Sequence, residues 1–197
     1  MDIIKYIFEK YKLKEQRPPN ILPISREEMA TLFAELDFKT GAEIGVEQGI
    51  YSEVLCKAMP KLELHCVDAW KAYKGYRDHT NQAKLDRYFE ETTKRLAPYE
   101  CNIIRDWSVD AAKRFLDNSL DFVYIDGNHD FQNCTNDIAE WSKKVKKGGI
   151  ISGHDFVRGR TSCECQVKDV VSSWTYAYGK KIWFITSDSF PSWLFIN

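Results

Sequence analysis

The chain has 197 residues, 44% hydrophobic and 14% aromatic, which suits one domain with a well-buried core and excludes a disordered or fibrous chain. The 28 Lys and Arg nearly balance 29 Asp and Glu, for a formal net charge of -1, so no global field directs the protein to nucleic acid or an anionic membrane, and neither is expected as a partner. The six cysteines (Cys56, Cys66, Cys101, Cys134, Cys163 and Cys165) show neither a disulfide framework nor a paired C-x-x-C spacing, which fits reduced thiols in the cytoplasm.

The N-terminus reads as an amphipathic helix, with Ile3, Ile4, Ile7 and Phe8 interrupted by Asp2, Lys5, Glu9 and Lys10, a pattern unlike a secretory or membrane-spanning run. After the break at Arg17-Pro18-Pro19-Asn20, Ser25-Arg26-Glu27-Glu28 supplies a capping box for a second helix to about Leu36. Residues 1–40 are expected to pack on the core or on a sister subunit, giving a route to a homo-oligomer, with residues 41–197 as the main domain. Ala42 to Val46 is a short apolar run entering a glycine turn, and the helix from Ile50 to Met59 stops at Pro60. Leu62 to Val67 reads as a strand ending at Asp68. A polar, aromatic loop from Trp70 to about Thr80 leads to a helix up to Ala97. Cys101 to Ile104 is a third strand ending at Asp106, and Ser108 caps a helix to about Leu116. Phe122 to Ile125 is a fourth strand, a helix carrying Ile138, Trp141 and Val145 follows, and Gly149 to Gly153 is a fifth.

Such β-then-α alternation needs crossover connections and predicts a doubly wound, largely parallel α/β sheet with helices on both faces. The tail departs from it. A helix over Gln166 to Tyr178 is followed by strands at Lys181 to Ile185 and Ser192 to Ile196, and the link from Thr186 to Pro191 is too short for a crossover helix. These last two strands are therefore antiparallel, and the sheet has seven strands with one reversed.

In such a sheet the ligand sits at the turn after the first strand, here Ala42-Glu43-Ile44-Gly45-Val46-Glu47-Gln48-Gly49. Its G-x-x-x-G spacing differs from the G-x-G-x-x-G of dinucleotide binders. Glu43 and Glu47 would repel a pyrophosphate but suit an ammonium or sulfonium group, so electrostatics favours S-adenosylmethionine. Asp68 is placed to accept hydrogen bonds from ribose hydroxyls. Asp106-Trp107-Ser108 is placed to hold adenine, and Trp70 offers a second indole. Helix capping and core packing are the competing readings of these aspartates and tryptophans.

Together A-E-I-G-V-E-Q-G-I-Y-S, C-V-D-A-W, I-R-D-W-S-V-D-A-A, D-F-V-Y-I-D-G-N-H-D and K-K-G-G-I-I-S-G-H-D-F resemble the small class I S-adenosylmethionine-dependent methyltransferases grouped with the macrocin and aminocoumarin-sugar O-methyltransferases. Catechol O-methyltransferase is a more distant relative. The resemblance covers about Ala42 to Phe156, although Glu47 occupies a glycine position of the general G-x-G-x-G pattern. It implies a Rossmann-like class I fold, with S-adenosylmethionine bound by Glu43, Gly45, Glu47, Gly49, Asp68, Trp70, Asp106, Trp107, Ser108 and Asp126. It implies methyl transfer to a hydroxyl of a small molecule such as a sugar or phenol.

The resemblance also implies a divalent cation, magnesium, manganese or another, on Asp126, His154 and Asp155, which follow the fourth and fifth strands. His154 stands where a carboxylate is common, and imidazole favours softer divalent ions. In related sugar enzymes an aspartate two places after the first ligand is the proposed base. Asn128 stands there and cannot take a proton, so that role shifts to His129, with Asp126 beside it. Three readings stay open: a cation on Asp126 and Asp155 with or without His154, a metal-free site with His129 or His154 as general base, and plain loop capping. By class, the alternatives are a non-catalytic S-adenosylmethionine-binding protein and a nicotinamide oxidoreductase. The loops Trp70 to Asp78 (Lys71, Tyr73, Lys74, Tyr76, Arg77) and Phe156 to Cys165 (Arg158, Arg160) are expected to border the mouth of the site, and Cys163-Glu164-Cys165 reads as an ordinary loop.

Overall fold

The computed structural model describes residues 2–74, 80–159 and 165–197. The expected mouth residues Tyr76, Arg77 and Arg160, and Cys163 with Glu164, lie outside them. One eight-stranded sheet runs through the molecule in the order β1 (Asn20–Ile21), β7 (Phe184–Ile185), β8 (Trp193–Ile196), β6 (Val145–Gly153), β5 (Leu120–Ile125), β2 (Thr40–Ile44), β3 (Glu63–Asp68) and β4 (Cys101–Arg105). Its centre is β2 (Thr40–Ile44), flanked by β5 (Leu120–Ile125) and β3 (Glu63–Asp68). From β2 the chain winds outward through β3 to β4 (Cys101–Arg105), then returns to build β5 and β6 (Val145–Gly153) on the other side. The C-terminal ends of β2 and β5 are therefore the switch point of a doubly wound sheet, where the connecting helices diverge and leave a crevice.

Strand periodicity sorts the core into two layers. Phe122 and Tyr124 of β5 face one layer with Met29 and Phe33 of α2 (Arg26–Glu35) and Leu55 of α3 (Ile50–Ala58). Val123 and Ile125 face the other, with Ile138 and Trp141 of α6 (Phe131–Ser142) and Val170 and Val171 of α7 (Val167–Ala177). All of these are at most 5% exposed. The reversed strand is β8 (Trp193–Ile196), antiparallel to both β6 and β7 (Phe184–Ile185).

The details differ from the sequence pattern in four places. An eighth strand, β1 (Asn20–Ile21), pairs parallel with β7, directly after the proline break. Val145 opens β6 rather than extending α6, because Leu120 pairs with it ahead of a register shift. The helix α5 covers only Ser108–Ala112, and Leu116 is 81% exposed. Ser108 does not cap that helix: Trp107 occupies the N-cap without a side-chain bond, and the Ser108 hydroxyl is turned to α6. The capping box of α2 forms as expected, with the Glu28 backbone N–H donating to Ser25 Oγ at 3.2 Å and the Ser25 N–H donating to Glu28 Oε2 at 2.7 Å.

Candidate active site

A cavity of about 680 Å³ opens at the switch point, between the turn after β2 and the tips of β5 and β6. Gly45 forms its floor at φ +87°, and a Cβ there would lie 2.1 Å from the Asp126 carbonyl oxygen, so only glycine fits. Glu47 follows at φ +51° and is held from below. Its N–H donates to Asp68 Oδ2 at 2.9 Å, and its carbonyl accepts from Trp70 Nε1 at 2.7 Å and Thr92 Oγ1 at 3.0 Å. The aspartate that ends β3 thus braces the glycine turn while also lining the cavity.

Three of the expected cofactor residues stand behind the wall. Trp70 is fully buried, edge-on to Phe89, and its indole supports Glu47 from outside the cavity. Gly49 caps α3 at φ +71°, with Thr92 packed against it. Asp106 accepts from the Trp107 N–H at 2.8 Å and pairs with Arg114, and it lines a neighbouring hollow with Ala69, Arg105 and Trp107 instead of the main cavity. Glu43, Gly45, Glu47, Asp68, Trp107, Ser108 and Asp126 do line the cavity. Burial pushes the Glu43 carboxyl up to about 8, against the Ser52 hydroxyl and Arg26, which lower it. Glu43 is therefore largely neutral at pH 7, and the negative character expected of the turn falls to Glu47, Asp68 and Asp126.

The opposite wall gathers the tips of β5 and β6. Asp126 Oδ1 lies 3.4 Å from His129 Nε2 and 3.8 Å from His154 Nδ1. Asp155 Oδ2 lies 3.4 Å from the same His129 nitrogen, and its Oδ1 lies 3.3 Å from His154 Nδ1. His129 is thus bracketed by two carboxylates. Ligand atoms of Asp126, His154 and Asp155 lie within 4.8 Å of one another, a spacing that suits one cation. Asn128 donates to the Tyr73 hydroxyl at 2.8 Å and accepts from the Asp130 N–H at 2.9 Å, which fixes the loop between Asp126 and α6.

Two residues of this site went unread in the sequence. Arg26, the first residue of α2, lays its guanidinium 4.2 Å from the Tyr51 ring centre and 5.1 Å from that of Tyr124, and its Nη2 donates to Asp126 Oδ2 at 2.8 Å. Burial would raise the Asp126 carboxyl, but His129 and Arg26 outweigh it and hold the group at about 2. Asp137 lines the cavity from α6 although only 4% exposed. Each had a faint signal: an arginine at the positive end of a helix, and an acid inside the apolar stripe Cys134, Ile138, Trp141.

The profile of the methyltransferase-domain family matches residues 42–156. No curated protein matches the sequence. Solved structures resemble the fold at low identity. A protein of caffeoyl-CoA O-methyltransferase type from Staphylococcus aureus superposes with a TM-score of 0.65 at 12% identity, over 99% of this chain and 91% of that one. An O-methyltransferase from Bacillus cereus, solved in complex with SAH, gives 0.61 at 12% over 99% and 89%. The N-methyltransferase NodS from Bradyrhizobium japonicum gives 0.59 at 14% over 87% and 94%. With the match spanning the glycine turn, both reactive strand tips and every element between them, the chain belongs to the methyltransferase-domain family.

Proposed function

We propose that the protein transfers a methyl group from S-adenosylmethionine to a hydroxyl oxygen of a small acceptor. The observation that carries this reading is the meeting, in one cavity, of an acid-lined glycine turn with an imidazole bracketed by two carboxylates. The turn suits a sulfonium cofactor: its backbone allows close approach, Asp68 offers oxygens to a ribose, and Glu47 and Asp126 supply negative potential. Across the cavity, His129, whose Nε2–H donates to the Asp126 carboxylate, takes the acceptor proton on its other ring nitrogen while the oxygen attacks the methyl carbon, and the C–S bond breaks to leave the neutral thioether S-adenosylhomocysteine. Asp126 and Asp155, each 3.4 Å away, stabilise the imidazolium that forms. Arg26 keeps Asp126 ionised for that purpose.

A divalent cation fits beside this machinery. Asp126, His154 and Asp155 offer two oxygens and one nitrogen at suitable spacing, and Arg26 holds the second Asp126 oxygen as an outer partner commonly holds a ligating carboxylate. Such an ion would acidify and orient the acceptor hydroxyl.

Incubation with methyl-labelled S-adenosylmethionine and pooled sugars, phenols and related hydroxylated metabolites tests the reading. A labelled acceptor and stoichiometric S-adenosylhomocysteine are expected. Tight S-adenosylhomocysteine binding with no acceptor turned over would point to a non-catalytic binding protein instead. Exhaustive chelation followed by single-metal add-back decides the ion, since full activity in chelator removes it.

A further inference from the structure

We infer that Asp137 reads the base of the cofactor, its Oδ2 accepting a hydrogen bond from the exocyclic amine of adenine and so selecting a 6-amino over a 6-oxo purine. The inference rests on the S-adenosylmethionine reading of the cavity and adds a residue that decides which ligand of that shape is held.

Asp137 sits in the apolar stripe of α6, where an acid needs a reason. Its Oδ1 accepts from Ser108 Oγ at 2.5 Å, and the direction of that bond is set by Trp141, whose Nε1–H donates to the same Ser108 oxygen at 2.9 Å. Ser108 is left with one proton to give, and Asp137 receives it. The second oxygen, Oδ2, has no hydrogen-bond partner among the described residues. It lies on the cavity side, where a Cβ built on Gly127 would meet it at 3.4 Å. Oδ2 therefore opens on the cavity as an acceptor that the protein itself leaves unused, and a ligand N–H is the partner that suits it.

Its surroundings suit a purine. Trp107, 38% exposed on the same cavity wall and held edge-on by Tyr73 at 5.1 Å between ring centres, offers an aromatic face for the base. Asp106, the acid the sequence offers for adenine, is engaged by Arg114 and the Trp107 N–H and lines a separate hollow. Asp137 lines the same cavity as Trp107, and its Oδ1 is held by Ser108, the residue next to that indole.

Protonation adds a second signature. Burial, with the Asp130 charge at the start of the same helix adding to it, pushes the Asp137 carboxyl up to about 7, against the Ser108 bond. The groups that face it are Asp130, Ser108 and the Cys134 thiol with, from the loop after β3, the Tyr73 hydroxyl. Because Oδ1 is committed to Ser108, a proton on Asp137 sits on Oδ2 and replaces the acceptor by a donor. Amine recognition is therefore present above about pH 7 and fades as pH falls below it.

Calorimetric titration of S-adenosylhomocysteine and its 6-oxo analogue S-inosylhomocysteine tests this on the wild-type protein first, at pH 8. The adenosyl compound is expected to bind about tenfold tighter or more. In D137N the Ser108 bond keeps the amide oxygen in place and turns Nδ2 toward the cavity, so the preference is expected to vanish or invert toward the inosyl compound. From pH 8 to pH 6 wild-type affinity for S-adenosylhomocysteine is expected to weaken, and that of D137N to stay flat. Equal wild-type affinity for the two compounds overturns the inference without needing any variant. An unchanged preference in D137N overturns it too, and assigns Asp137 a merely structural bond to Ser108. If wild-type protein binds neither compound, the cofactor reading itself fails.

Discussion

Arg26 places a positive charge at the positive end of α2, an arrangement the helix dipole disfavours, and its ion pair with Asp126 is what offsets it. The guanidinium and the carboxylate are only 22% and 16% exposed as side chains, so the pair is buried enough for loss of one partner to be costly. Arg26→Met should reduce stability by about 3 kcal/mol, because it leaves Asp126 with only its imidazole neighbours to offset its charge beside Asp155. Urea denaturation measures it, and a loss below about 1 kcal/mol would mean the pair is solvent-screened. His129→Ala should act differently, lowering turnover by about 10²- to 10⁴-fold while S-adenosylhomocysteine affinity changes little. A parallel loss of cofactor affinity would contradict the base role. Asp126, His129, His154 and Asp155 were legible because two short segments of sequence carry all four. Arg26 reaches the site from 100 residues upstream, and Asp137 hides in a helical stripe that reads as ordinary core.

At the scale of elements, the glycine turn and the cap of α2 are the parts on which the site depends. Gly45→Ala would drive a methyl to 2.1 Å from the Asp126 carbonyl, at φ +87°, pushing the β2 turn off the tip of β5. Gly148 adopts nearly the same φ, +84°, with nothing within 4 Å of its would-be Cβ. Gly148→Ala should therefore cost only the left-handed backbone strain, about 1 to 2 kcal/mol, with cofactor binding intact. Gly45→Ala should abolish binding or folding. Equal effects on thermal midpoint and affinity would show that φ, not the close approach, is what Gly45 supplies. Ser25→Ala, which removes one arm of the capping box that launches Arg26, should cost about 1 kcal/mol. The helices and the five parallel strands β2 to β6 could be read from apolar periodicity and turn residues, and the reversed finish from a linker too short for a crossover. β1 could not: two residues carry no period, and its partner Phe184 lies far along the chain, so only the folded sheet reveals the pairing. Ser108 misled for a physical reason, since a hydroxyl before a helix caps it only if nothing stronger competes, and the Asp137 carboxylate does.

For the molecule as a whole, three carboxyls lining the cavity set how stability depends on pH, and they pull in opposite directions. Asp126 is held down at about 2, so the stability it contributes is present above about pH 4 and is lost as pH falls toward 2. Glu43 and Asp137 are pushed up to about 8 and about 7 by burial. For a raised carboxyl the folded state holds the proton more tightly than the unfolded chain does. The stabilisation is complete below the ordinary carboxyl range and is lost as pH climbs to the raised value. For Asp137, moved from 3.8 to about 7, the loss is about 4 kcal/mol, and for Glu43, moved from 4.5 to about 8, it is of similar size. The ligand-free protein should therefore be most stable near pH 4 and weaken steadily from there toward pH 8. Thermal midpoints at pH 5, 6.5 and 8 measure the slope. Glu43→Gln and Asp137→Asn should each flatten it by about half, and a wild-type midpoint that rises from pH 5 to 8 would show that these carboxyls reach solvent. The two acids that weaken the empty protein at neutral pH both line the cavity. A ligand amine on Asp137 lowers its proton affinity, so saturating S-adenosylhomocysteine should raise the midpoint more at pH 8 than at pH 5, tying the cost of the empty site to the work of filling it.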